Sequence, residues 1–279
     1  MQLLFVAAGG ATAGVFGALL GLGGGVLIVP LLTLGLGVPL RESIGASLVC
    51  VIVTSSSAAS VYLRRDVVNL RLGMTLELFT ALGAMAGGLI AFALPDRTLA
   101  VMFAALLVLV AATMAMGLRR ASEAELEATP AATPSVSPTA RLSEEGGYLA
   151  SLSGPGYRVR NLGPGIAGSL FAGVVSALFG IGGGIVKVPV MNLVMAVPLR
   201  VATATSNLMI GVTASAGAVV YLYRGGIDPY LTAPAALGVY AGASVASRLA
   251  NRVDSRVLRL LFVAMLLVTA VQMGLLGLA

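Results

Sequence analysis

Hydrophobic positions run almost unbroken along this chain, and the places where they stop divide it into ten segments. They span about 3–20, 26–38, 43–63, 72–94 and 98–118, then 163–179, 185–197, 202–223, 229–250 and 257–277. A helix needs roughly 20 apolar residues to cross a bilayer. The last three segments of each set of five reach that length. The segments 26–38 and 185–197 do not, and each contains a proline, Pro30 or Pro189. They predict half-helices. Between the sets lies 119–160, containing RRASEAELEATPAATPSVSPTARLSEEGG. It holds too little apolar surface to offset the entropy of ordering it, which predicts a flexible linker with a short helix at SEAELEA.

The two sets are one pattern written twice, at a constant offset of 159 residues. GVFGALLGLGGGVLIVP (Gly14–Pro30) aligns with GVVSALFGIGGGIVKVP (Gly173–Pro189), identical at 10 of 17 positions. Without a gap, Pro39 then meets Pro198, Arg41 meets Arg200, Ser47 meets Ser206, Thr54 meets Thr213 and Gly83 meets Gly242. The expected fold is an all-α polytopic membrane protein of two repeats, 1–118 and 161–279, joined by the linker 119–160. Each repeat would hold a Gly-interrupted half-helix pair and three transmembrane helices.

Composition agrees and narrows the chemistry. The chain is 58% hydrophobic and 10% charged, against roughly a quarter charged in soluble domains. A soluble globule, a disordered chain and a nucleic-acid binder are all poor fits. There is no His and a single Cys, Cys50, so an internal disulfide is excluded and His/Cys sites for zinc, haem or iron–sulfur clusters cannot be built. No paired acids, nucleophile–base set or phosphate-binding loop is present, and neither an enzyme nor a cofactor is expected.

The positive charge is 16 Arg and one Lys, with most Arg placed between apolar segments, where it reports membrane orientation. In the first repeat Arg64, Arg65, Arg71, Arg119 and Arg120 share one side, opposite Arg41 and Arg97. In the second the bias reverses: Arg248, Arg252, Arg256 and Arg259 lie opposite the side of Arg224. The repeats are therefore expected to be inverted, with the linker cytoplasmic and both termini periplasmic. Arg41 sits on the wrong side of this scheme. The opening residues lack a basic stretch, so no cleaved signal peptide is expected.

Inverted repeats with interrupted helices are a common transporter architecture, with substrate bound near the midplane. The interruptions here are Gly21, Gly23, Gly24 and Gly25, and Gly180, Gly182, Gly183 and Gly184. Runs this rich in glycine should break the helix, and opened backbone within a membrane is tolerated only beside protein or a watery cavity. The N–H groups that follow would suit an anion; close helix packing is the competing use of these glycines.

Lys187, the single lysine, lies inside the half-helix after the second Gly run. It either faces an anionic substrate or snorkels to the cytoplasmic face. Glu77 is a candidate for proton coupling, or a partner for Lys187 or for an Arg near the membrane surface. Ser43, Ser47, Cys50, Thr54 and Ser57 recur on one face of segment 43–63. Ser206, Thr213 and the nearby Asn207 echo them in the second repeat. These hydroxyls either line a polar path or join helices.

The doubled G-x-x-x-x-x-x-G-x-G-G-G-x-x-x-x-P, followed by V-P-L-R at Val38–Arg41 and Val197–Arg200, resembles the TauE/SafE family of sulfite exporter-like permeases. The resemblance covers both repeats and omits only the linker. It implies a multi-pass protein of the bacterial inner membrane that moves small sulfur-containing anions such as sulfite and sulfonates. The expected function is thus a secondary transporter, in the export direction, working by alternating access around the two Gly-rich breaks. An anion channel and an ion-coupled uptake permease for another small organic anion are the alternatives. The expected partners are the anion and the lipid bilayer, with no nucleic acid and homo-oligomerisation left open. Expected anion contacts are the eight glycines with Lys187, Ser47, Thr54, Ser206, Asn207 and Thr213, and Glu77 is the coupling candidate.

Overall fold

A computed structural model describes residues 2–20, 25–63, 68–127, 152–154, 157–249 and 255–278. Among the described residues, ten α-helices follow the ten predicted segments in order. They are α1 Gln2–Leu20, α2 Gly25–Leu36, α3 Leu40–Leu63, α4 Leu70–Ala93, α5 Asp96–Glu127, α6 Leu162–Phe179, α7 Gly184–Pro189, α8 Leu199–Tyr223, α9 Pro229–Leu249 and α10 Ser255–Leu278. No strand occurs among the described residues. Five stretches are long and apolar enough to cross a membrane: Leu70–Ala93, Asp96–Met116, Leu162–Phe179, Val201–Tyr223 and Leu260–Leu278. The helix at SEAELEA is the end of α5 rather than a separate element.

Large apolar side chains point outward and small ones inward, the reverse of a soluble helix. On α4, Met74, Leu78, Leu82, Met85 and Leu89 are exposed, while Gly73, Gly83, Ala84, Gly87 and Gly88 are buried. Lipid tails solvate leucine as well as another helix does, so helices associate where small residues let backbones approach. Gly83 and Gly87 lie over the carbonyls of Leu170 and Val174 on α6, and Gly173 lies over that of Thr80. Gly10 and Gly14 of α1 lie over Ala235 and Val239 of α9, with Gly238 and Gly242 over Ala7 and Ala11. Both helix pairs run parallel, because residue numbers rise together along each.

These contacts correspond at the 159-residue offset. Gly14 over Val239 matches Gly173 over Thr80, and Gly83 over Leu170 matches Gly242 over Ala11. Each half therefore docks its first helix on the fourth helix of the other half. Between α3 and α8 the order reverses, since Gly211 meets Ser55 and Gly217 meets Leu48. The same holds for α5 and α10, where Gly274 meets Ala104 and Gly277 meets Val101. Those two pairs are antiparallel.

Backbone detail recurs as well. Gly37 and Ala196, an offset pair, both take left-handed φ, 66° and 57°. Each ends its half-helix with a matching bond, Val38 N–H to Leu32 O (3.2 Å) and Val197 N–H to Met191 O (2.9 Å). The half-helices then diverge. After Pro189 the chain widens into a π-turn over Val190–Val194, while α2 runs through Pro30 as an ordinary α-helix.

Arg41 has a structural use that accounts for its exceptional position. Its guanidinium donates to the carbonyls of Ala91 and Leu94 at the end of α4 and pairs with Asp96 at 3.2 Å. A cation is favourable at a helix C-terminus. Near the end of the predicted linker, Leu152 and Val159 turn inward while Arg158 and Arg160 are exposed. Leu152 and Val159 are buried with Leu72, Leu76, Met191 and Met195, and Asn69 donates to Leu152 O and to the Tyr157 hydroxyl, both at 2.7 Å.

Candidate substrate site

The second Gly run forms a tight link between α6 and α7. Gly180, Gly182 and Gly183 hold φ of 71°, 81° and 75°, a region that side-chain-bearing residues avoid. The link turns back because Gly180 N–H and Ile181 N–H both bond Ser176 O, and Gly183 O then accepts from Val186 and Lys187. Gly180 reaches the first half directly, its carbonyl lying 2.4 Å from where a Cβ on Gly25 would stand. The two half-helix pairs therefore meet at the centre of the molecule. Of the first Gly run, Gly25 is described; Gly21, Gly23 and Gly24 lie outside the described residues.

Ser47 stitches this junction. Its hydroxyl faces the carbonyls of Gly25 (3.0 Å) and Gly180 (2.7 Å), and one proton serves the two acceptors in turn. Thr54 bonds back to Cys50 O and Val51 O of its own helix. The offset mate of Ser47, Ser206, is different. It is 1% exposed, and its hydroxyl has no hydrogen-bond partner among the described residues.

Ser206 stands in the wall of a cavity of about 250 Å³ between α5, α7 and α8. Asn207 and Thr203 line it from α8, Gly184 and Val188 from α7, and Thr113 and Met114 from α5. The lining is mostly apolar; Thr113 and Thr203 donate to Val110 O and Leu199 O of their own helices, which leaves the Ser206 hydroxyl and the Asn207 amide as its available polar groups, with no carboxylate. The cavity is smaller than the roughly 300–1,000 Å³ of drug-sized pockets, which fits a small ligand. Three sequence-predicted residues, Gly184, Ser206 and Asn207, come together here. The sequence reading missed Thr113, whose signal was a lone hydroxyl within the apolar run of α5.

Lys187 does not line this cavity and does not snorkel. It is 1% exposed and points to the other side of α7, where Nζ donates to Glu77 Oε2 at 3.0 Å and to Thr213 Oγ1 at 2.5 Å. Thr213 in turn donates to Glu77 Oε1 at 2.6 Å. Three helices, α4, α7 and α8, thus contribute one residue each to a closed triad. Glu77 is 8% exposed, so its partner is Lys187 in the interior rather than an arginine at the membrane surface. No cluster of His, Cys, Asp or Glu able to hold a metal occurs among the described residues.

Apolar helices with outward leucines and a buried charged triad at a broken helix define an α-helical protein of the membrane. The chain belongs to the Sulfite exporter TauE/SafE family, a family of membrane transporters, which it matches over residues 6–273. It is 24% identical over 280 residues to the Probable membrane transporter protein YunE of Bacillus subtilis (strain 168), covering 98% of this chain and 97% of that protein. No solved structure matches the chain.

Proposed function

We propose that the protein is a secondary transporter that exports small sulfur-containing anions, sulfite or organosulfonates, across the bacterial inner membrane. The observation that carries this is the buried hydroxyl of Ser206, unpartnered among the described residues, in the wall of a cavity it shares with Asn207 and Gly184. A buried donor left unpaired costs about 1–3 kcal/mol, and an anion oxygen would satisfy it. The family membership supports transport, and the family's character as sulfite exporters supports a sulfur oxyanion.

The reading takes 1–118 and 161–279 as inverted repeats, with the linker cytoplasmic and both termini periplasmic. Antiparallel packing of α3 on α8 and of α5 on α10, at the 159-residue offset, supports the inversion. Alternating access would then rock one half against the other about the junction that Ser47 holds.

Proteoliposome flux of sulfite and methanesulfonate tests the reading. Saturable, protein-dependent flux is expected. Ser206→Ala with Asn207→Ala should raise the half-saturating concentration at least about tenfold, the equivalent of ~1.4 kcal/mol of lost binding. Flux that never saturates would favour a channel with this cavity as its filter, and absence of flux for both anions would end the proposal.

A further inference from the structure

Glu77, Lys187 and Thr213 form a charged triad in only one of two equivalent places. At the 159-residue offset their mates are Ala236, Ile28 and Thr54. There Ile28 is fully buried and Thr54 bonds its own helix at Cys50 O and Val51 O. The apolar solution is thus already present in the chain. Replacing a buried ion pair by well-packed apolar residues is often neutral or stabilising, so packing alone gives no reason to keep charges at one of the two equivalent places. Charges buried in a membrane protein mark ion and proton pathways by default.

The triad also adjoins the proposed anion site. Gly184 and Val188 face the cavity from α7 while Lys187 leaves by the opposite side, and Ile210 faces it one turn before Thr213 on α8. The cavity and the triad therefore lie within one helical turn of each other along both α7 and α8. An anion entering the cavity would put a second negative charge beside a single ammonium.

We propose that Glu77 is a proton-binding site that couples proton movement to anion movement. This rests on the transport reading above. With the cavity empty, Lys187 and the Glu77 carboxylate neutralise each other. With a singly charged anion bound, Glu77 takes a proton from hydronium on the entry side and Lys187 balances the anion. Both leave together on the other side, so the net charge of the site is zero before and after. Export is then driven by the sum of the anion and proton concentration gradients and draws nothing from the membrane voltage.

Titratable groups on the elements packed against the triad's helices include Tyr157, which packs in the cluster of Leu72 and Leu76, and Arg41, Glu42 and Cys50 of α3, which packs on α8. On α4 Arg71 is six residues from Glu77, and α6 carries no titratable side chain. Lys187 is the only titratable residue of α7 and its π-turn. On α8 Arg200 lies in the first turn, and Tyr221 and Tyr223 lie two turns beyond Thr213.

The test uses proteoliposomes enclosing a pH-sensitive dye, with valinomycin and equal potassium holding the voltage at zero. An inward gradient of methanesulfonate, which stays singly charged, is applied; if sulfite alone moves, it is used at a pH well below its second pKa, where it is the singly charged hydrogensulfite, with the signal of protein-free vesicles subtracted. Wild type should acidify the lumen by about one proton per anion, as pairing at a single ammonium requires. Glu77→Gln should cut that ratio at least tenfold, and Glu77→Asp, which keeps a carboxylate, should retain it. If Glu77→Gln does not fold, its combination with Lys187→Met carries the same test. Anion flux without acidification in wild type, or acidification that persists in the Gln variant, overturns the coupling and leaves transport standing. If neither anion moves, the transport reading fails and the coupling fails with it.

Discussion

Removing the ammonium of Lys187 would strand the carboxylate of Glu77 in an apolar interior, with Thr213 as its one remaining triad partner. Breaking a buried pair from one side costs about 3–5 kcal/mol, whereas replacing both members with apolar residues is often neutral. Lys187→Met is therefore expected to lower the midpoint of thermal unfolding in detergent sharply. Adding Glu77→Leu should recover most of the loss, because the double variant approaches the Ile28 and Ala236 arrangement of the other half. Equal destabilisation by the single and double variants would show that the triad is not an isolated electrostatic unit. At this scale the sequence exposed Lys187 as an anomaly, a lone lysine within an apolar stretch. The pairing with Glu77 was one of the options, but Glu77 is 110 residues away and could equally have met an Arg, so the sequence did not decide it.

Helix pairs in this protein are set by glycines seated over carbonyls, and among the tightest is Gly173, where a Cβ would stand 2.0 Å from Thr80 O. That oxygen belongs to backbone and cannot swing aside. Gly173→Ala should push α6 away from α4 and destabilise the protein by about 1–3 kcal/mol, the usual cost of overpacking. Gly163→Ala, in the same helix with nothing within 4 Å of the new methyl, is the matched control and should be neutral or slightly stabilising. Unfolding in detergent measured side by side separates them; similar values for both would mean the α4–α6 contact does not set stability. Existence and order of the ten helices followed from apolar run length, the most robust signal in a membrane sequence. The π-turn after Pro189 did not, because Pro30 sits in the same motif and leaves α2 regular.

For the whole molecule, the inverted arrangement makes a directional prediction. Cys50 is buried, so it leaves little background for thiol labelling. Tyr230→Cys, at a position 82% exposed, should react with an impermeant maleimide in intact cells. Arg160→Cys, exposed at the end of the 119–160 segment, should react only after the membrane is opened. Labelling of both from outside would overturn the inversion. Arginine counting supplied this expectation, and the one residue that defied it, Arg41, is held by the C-terminus of α4 and by Asp96. Local capping overrode the orientation signal there.

By itself the sequence determined the membrane class, the ten segments, the duplication and the short set of polar residues that had to share an interior. Those properties depend on run length, composition and offset, which are linear along the chain. Only the tertiary structure decided how the polar residues divide. Ser47 holds the junction between the halves, Ser206 and Asn207 open onto a cavity, and Lys187 turns from that cavity to Glu77. Ser47 and Ser206 occupy equivalent positions in the duplicated pattern, yet one is bonded twice and the other not at all among the described residues. The physical reason is that a hydroxyl's role is fixed by which carbonyls and charges reach it from other helices, and that proximity exists only once the helices have packed.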